Sequence, residues 1–155
     1  MRQLALVLVS YALVLGACSS SPSLNGGAAS ASSKATQAPV KTVYHLSEGL
    51  DQASNALRNI GNHLSADPSV KIQVVTHSRG IDFLLAGAKD KNGGSFEHLV
   101  QDLAAKGVDF KVCQNTLDNR KLTVAQVIKD ASIVPSGVAE VARLQSREGF
   151  AYLRP

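Results

Sequence analysis

Lys41-Thr42-Val43-Tyr44-His45-Leu46, then Leu50, Ala53, Leu57, Ile60 and Leu64 at steps of three and four, then Val70-Lys71-Ile72-Gln73-Val74-Val75-Thr76: this stretch decides the fold. The two flanking runs are rich in β-branched residues and read as strands. The five apolar residues between them fall on one face of a helix. Ser47 is a plausible N-cap, and Glu48 and Asp51 suit a helix start. Asp67-Pro68-Ser69 closes the unit with a turn.

The same alternation continues downstream. His77-Ser78-Arg79-Gly80 reads as a loop and Ile81-Asp82-Phe83-Leu84-Leu85 as a short helix. Lys89 to Gly94 is a polar loop, after which Ser95 can cap a helix with the stripe Phe96, Leu99, Val100 and Leu103. Lys106-Gly107 is a stop signal. Val108 to Val112 is a third strand that ends on Cys113. Thr123-Val124-Ala125-Gln126 matches a capping box, with Val127 and Ile128 apolar behind it. Ala131-Ser132-Ile133-Val134 is a fourth strand, and Pro135-Ser136-Gly137 turns into a helix with Val138, Val141, Ala142 and Leu144 inward. Gly149 breaks that helix before a last strand, Phe150-Ala151-Tyr152-Leu153.

Strands alternating with helices imply an α/β fold with a mostly parallel sheet covered on both faces. Right-handed crossovers place every strand-to-helix loop on one edge of such a sheet. His45, the His77-Ser78-Arg79-Gly80 turn, Cys113-Gln114-Asn115-Thr116 and Pro135-Ser136-Gly137 therefore share a rim. Ligands of open α/β sheets bind at that rim.

The first 17 residues read as a secretory signal: Arg2, then an apolar run from Leu4 to Leu15 broken by Ser10 and Tyr11. Leu15-Gly16-Ala17-Cys18 matches a bacterial lipoprotein box, in which the thiol of Cys18 is lipidated and the chain is cut before it. The plain alternative is an ordinary signal peptide cut near Ala17. The run is short for a spanning helix. Ser19 argues weakly for the outer membrane, in a host with two. Residues 18–39 are rich in Ser, Ala and Gly with one charge, Lys34. They bury too little to offset their ordering entropy and read as a tether. Residues 40–155 are enough for one domain with one core.

The net charge is +4, and Arg2 is the leader's only charge, so +3 remains after its removal. The basic residues are scattered among acids without an aromatic-basic stripe, which argues against nucleic acid as a partner. The chain has no G-x-S-x-G elbow, no Gly-Lys-Ser/Thr phosphate loop and no G-x-G-x-x-G after a strand. No cofactor is implied. No histidine and cysteine spacing matches a metal site, although His45, His77 and Cys113 share the rim.

With Cys18 lipidated, Cys113 is the one remaining thiol. As a thiolate it is a nucleophile, and it needs something that favours the anion. A following helix N-terminus, Arg79, His77 or His45 would serve. The N-termini near Gly80 and Gly137 offer free N–H groups to an anion. Asn115 and Thr116 offer hydrogen bonds, and Ser136 reads as a cap. The bland alternative is that Cys113 packs in the core, as cysteines often do. For His77 and Arg79 it is a loop histidine satisfied locally and a solvated guanidinium. His63 and His98 fall on helices and are expected to be exposed. Which histidine neighbours Cys113 depends on strand order: His77 if the third strand lies beside the second, His45 if beside the first.

Several segments carry a family resemblance: Val74-Val75-Thr76-His77 with Gly80 and Leu84-Leu85-Ala86-Gly87, Val112-Cys113-Gln114-Asn115-Thr116-Leu117, Val134-Pro135-Ser136-Gly137-Val138-Ala139-Glu140, and Gly149-Phe150-Ala151-Tyr152-Leu153-Arg154-Pro155. Together they resemble the DsrE/DsrF-like family over Val40 to Pro155. The resemblance implies a three-layer α/β/α sandwich on a five-stranded parallel sheet, layered as in flavodoxin-like and Rossmann-like folds. It also implies a homo-trimer or hexamer. Better-understood relatives are cytoplasmic sulfur carriers that hold a persulfide on a cysteine, and Cys113 matches the cysteine of the branch resembled here. Ser78 departs from the pattern, because glycine is common after the histidine.

Two functions follow as expectations. One is a membrane-anchored exported protein that handles sulfur through Cys113, with His77 and Arg79 tuning the thiolate and a small sulfur-containing anion or persulfide donor protein as partner. The other is a non-catalytic oligomeric module that binds a small anion or a partner protein.

Overall fold

The computed structural model describes residues 38–155. The expected leader, its Cys18 and most of the tether lie outside them. Among the described residues no helix is long and apolar enough to cross a membrane.

The chain alternates strand and helix as expected. β1 is Lys41–Leu46, α1 is Leu50–Ala66 and β2 is Lys71–Thr76. A 3-10 helix covers Ser78–Leu84, α2 is Phe96–Ala105 and β3 is Asp109–Cys113. α3 is Gln114–Asn119, a 3-10 turn covers Val124–Gln126, β4 is Ala131–Val134, α4 is Gly137–Glu148 and β5 is Ala151–Leu153. All the strands are parallel in one five-stranded sheet, in the order β4-β3-β2-β1-β5.

This order explains how the layers fill. The chain steps from β1 to β4 in one direction, so right-handed crossovers stack their helices on one face. The larger core lies there: Tyr44, Leu46, Ile72, Val74, Phe110 and Val112 meet Ala53, Leu57 and Ile60 of α1, Phe96 and Val100 of α2, and Leu117 of α3. Only the last link reverses, crossing the sheet from β4 to put β5 beside β1. Its helix α4 covers the other face, where Val141, Leu144 and Phe150 close over Val43 and Val75.

Several local expectations are corrected. Ser47 does not cap α1. The N-cap is Gly49, and the N–H groups of Ser47 and Glu48 both donate to Gln52 Oε1, at 3.0 and 2.8 Å. The His77–Gly80 loop is the entry to the 3-10 helix, whose N-cap is His77. The residues after Cys113 form a helix, α3. Leu99 and Val138 are 45% and 61% exposed, and Ala142 is exposed too, so three members of the apolar stripes face outward. His63 is half-buried, its Nδ1 3.1 Å from Tyr44 Oη. Gly149 ends α4 at φ +71°, the left-handed backbone that glycine adopts without strain.

Candidate functional site

The carboxyl edge of the sheet gathers the candidates. β2 and β3 pair with Thr76 opposite Val112, so His77 and Cys113 leave adjacent strands side by side. Strand order thus selects His77 as the neighbour of Cys113. Gly137, the first residue of α4, sits against both. A β-carbon there would stand 3.2 Å from His77 Cβ and 3.3 Å from Cys113 Cβ.

Cys113 is a free thiol, 4% exposed, and forms the N-cap of α3. Burial pushes the thiol up. The N–H groups of Gly137, Thr116 and Asn115 and the Thr116 hydroxyl around it outweigh burial and hold the thiol below its ordinary value, although Cys113 accepts no capping hydrogen bond and the Asn115 N–H donates to Pro135 O at 3.4 Å. Two helix starts, of α3 and α4, therefore meet at Cys113. Each presents N–H groups that have no partner inside their own helix. Thr116 is itself buried, and its Oγ1 accepts from the Ser78 N–H at 3.0 Å.

A pair of imidazoles stands at the ends of the neighbouring strands. His45 Nε2 and His77 Nε2 are 2.7 Å apart, with ring centroids 4.8 Å apart. His45 Nδ1 lies 2.8 Å from Tyr152 Oη, and His77 Nδ1 lies 2.9 Å from Ser78 Oγ. Burial, then the charges of His77 and Arg154, hold His45 below the ordinary histidine value. Burial and Arg154 do the same to His77. Arg154 is fixed by Glu48, Nη2 to Oε1 at 2.6 Å.

The other candidates divide. Asn115 and Gly137 flank the thiol, the Asn115 N–H donating to Pro135 O at 3.4 Å and Gly137 packing against the Cys113 β-carbon. Ser136 caps α4, its hydroxyl accepting from the Ala139 N–H at 3.5 Å. Gly80 is held by packing: a β-carbon there would stand 2.2 Å from the Leu46 carbonyl oxygen, and its N–H donates to His77 O at 2.9 Å. Arg79 turns from the thiol to α1. Its Nη2 lies 3.0 Å from the point where a Gly49 β-carbon would stand. It lines a cavity of about 660 Å³ with Glu48, Lys89, Asp90 and Lys91. Among the described residues no three His, Cys, Asp or Glu side chains are grouped to hold a metal ion.

Tyr152 is the participant that sequence reading missed. It enters because β5 pairs with β1, Tyr152 opposite Val43, which sets its ring on the face that carries His45. The alternation along Ala151-Tyr152-Leu153 was visible, but its neighbouring strand was not.

Chemically, the rim offers a buried thiol held below its ordinary value, with a histidine pair at the ends of the neighbouring strands, also held below its ordinary value. No protein of curated function matches the chain. A solved protein of unknown function from Methanobacterium thermoautotrophicum is similar, with 30% identity and a TM-score of 0.66, covering 75% of this chain and 99% of that one. The ychN protein of E. coli shares the fold at 17% identity and a TM-score of 0.58, covering 76% of this chain and 100% of its own. The model of the DsrE/DsrF-like family matches residues 29–155, so the chain belongs to the DsrE/DsrF-like family.

Proposed function

We propose that this protein is a membrane-anchored, exported member of its family that handles sulfur through Cys113. The observation that carries the reading is the place of Cys113 at the start of α3 with the first residue of α4 packed against its β-carbon, which surrounds the thiol with donors and holds it below its ordinary value. A nucleophilic thiolate needs such surroundings, whereas a packing cysteine does not. In the step proposed, the thiolate attacks the outer sulfur of a persulfide R–S–S–H. The R–S bond to that sulfur breaks, its electron pair leaves with R–S⁻, and Cys113 becomes Cys113–S–S–H. Asn115, Thr116 and Gly137 hold the negative charge, and Arg79, turned to α1, takes no part. His77 is the base next to the thiol.

The anchor is Cys18, placed on the outer membrane by Ser19 in a host with two membranes. Lipidation there also removes the other thiol with which Cys113 could pair. Assembly as a homo-trimer or hexamer is supported by apolar side chains left open: Val138 at 61%, Tyr152 at 39% and Leu153 at 41% exposure. One observation favours the second reading, a non-catalytic module for a small anion or partner protein: Cys113 is only 4% exposed.

Intact mass decides between them. The protein extracted from membranes and treated with polysulfide or thiosulfate gains the mass of one sulfur atom, and Cys113→Ser does not. No adduct, with a folded-state thiol that resists alkylation, leaves the non-catalytic module. The same spectrum reads the anchor. A chain that begins at Cys18 and carries lipid mass supports it, and a chain cut near Ala17 with unmodified Cys18 removes it.

A further inference from the structure

His45 stands between two partners. Its Nε2 lies 2.7 Å from His77 Nε2, and its Nδ1 lies 2.8 Å from Tyr152 Oη. The ring centroids of the two histidines are 4.8 Å apart, so the rings meet almost end to end. Two nitrogens this close share one proton: one donates its N–H and the other accepts with its lone pair. The contact holds while either ring is neutral. With both rings protonated, each Nε2 carries a hydrogen, no lone pair is left to accept, and two like charges face each other. The rings must then part. This limit is geometric, and it holds whichever ring takes the first proton.

What gives way is decided by how each side is anchored. His77 is the N-cap of the 3-10 helix, its Nδ1 is 2.9 Å from Ser78 Oγ, and Gly137 packs at its β-carbon. β1 pairs with β2 along its whole length, but with β5 only at Thr42, Val43 and Tyr44. β5 is an edge strand whose three side chains are all exposed. The Tyr152 hydroxyl on His45 is one of its few side-chain ties. The others on that segment are Arg154 Nη2 to Glu48 Oε1 at 2.6 Å and Gln52 Nε2 to Pro155 O at 3.3 Å. Both nitrogens of His45 are engaged, so its ring cannot swing off His77 and leave Tyr152 where it is.

We propose that His45 and His77 form a latch that holds β5 to the sheet and releases it in acid. The latch asks nothing of the chemistry at Cys113. The titratable and charged groups around the pair are few. β5 presents Tyr152, and Arg154 follows with its partner Glu48. β3 ends beside His77 on Cys113, and α4 meets His77 with the uncharged Gly137. The ring nitrogens bond only to each other, to Tyr152 and to Ser78 among the described residues, so no carboxylate offsets a second charge. Burial, then the charges of His77 and Arg154, hold His45 below the ordinary histidine value, and burial and Arg154 do the same to His77. A histidine held low in the fold stabilises it fully above the ordinary value of about 6.5, and that contribution is lost as pH falls through the lowered one. Release therefore comes on the acid side. With β5 released, the edge of β1 is open to a strand of another chain.

Hydrogen exchange of the full chain reads the latch. Protection of the β5 amides is measured at about pH 7.5 and about pH 5, on either side of the ordinary histidine value, and corrected for the intrinsic rate at each pH. Wild type is expected to lose about tenfold in acid, the scale of one hydrogen bond, while α1 keeps its protection. The variants are His45→Gln and His77→Gln, whose amide can face either form of the remaining ring. Each is expected to protect β5 equally at both pH values. The Glu48–Arg154 pair is the same in all three proteins, so its own response to acid cancels. An acid loss that persists in both variants overturns the latch, and so does a wild type with equal protection. The wild-type imidazoles give a second reading that needs no variant. Followed by NMR, they are expected to titrate in two separated steps, as coupled groups do. Two coincident steps at the ordinary histidine value overturn the shared proton and the latch with it.

Discussion

At the residue scale the chemistry turns on how Cys113 is held. A buried sulfur in apolar surroundings would stay protonated. Here burial is outweighed by donors from Gly137, Thr116 and Asn115. The hydroxyl of Thr116 is the one donor that a substitution removes without touching the backbone. Alkylation of Cys113 followed against pH is therefore expected to show a midpoint below the ordinary thiol value of about 8.5. In Thr116→Val the midpoint is expected to move up toward that value, and an unchanged midpoint would detach the hydroxyl from the sulfur. The sign for stability follows. An acid held low in the folded state stabilises it fully above the ordinary thiol value, and that contribution is lost as pH falls through the lowered one. The cysteine and its polar followers were legible in the sequence. The cradle was not, because Gly137 reaches the sulfur from 24 positions away along the chain and only the fold closes that gap.

At the element scale, periodicity placed strands and helices well and faces less well. α2 shows why. Phe96, Leu99, Val100 and Leu103 form one apolar stripe on paper. In the fold Phe96 and Val100 are fully buried and Leu99 is 45% exposed, at the lip of a groove between α1 and α2. A stripe records which side of a helix faces inward, but not how far the neighbouring helix reaches across it. Val100→Ala is expected to cost about 1–3 kcal/mol in denaturant unfolding, and Leu99→Ala less than about 0.5 kcal/mol. Similar costs at both sites would place Leu99 in an interface. α3 escaped sequence reading for a different reason. It is six residues long, and Gln-Asn-Thr at its start favours a turn as readily as a helix. What holds it is Leu117, fully buried against the sheet.

At the scale of the whole molecule, β5 is an edge strand three residues long whose side chains are all exposed, next to a helix that leaves Val138 open. Edge strands with apolar side chains invite pairing with another chain. The homo-oligomer proposed above is expected to be seen as a multiple of the chain mass in sedimentation. Val138→Glu combined with Leu153→Glu is expected to shift it to monomer, and a double variant that sediments like wild type would move the interface elsewhere. The sequence by itself determined the α/β alternation, the shared rim and the family, because periodicity, turn residues and short motifs are local properties that survive in one dimension. It could state that His77 meets Cys113 only on condition that the third strand lies beside the second. Tertiary structure decided that condition, and it decided the reversal that brings β5 to β1 and Tyr152 to His45. It also sent Arg79 toward α1 and away from the thiol. Strand order depends on how whole layers cover one another's apolar faces, a property of the assembled sheet that no single segment carries.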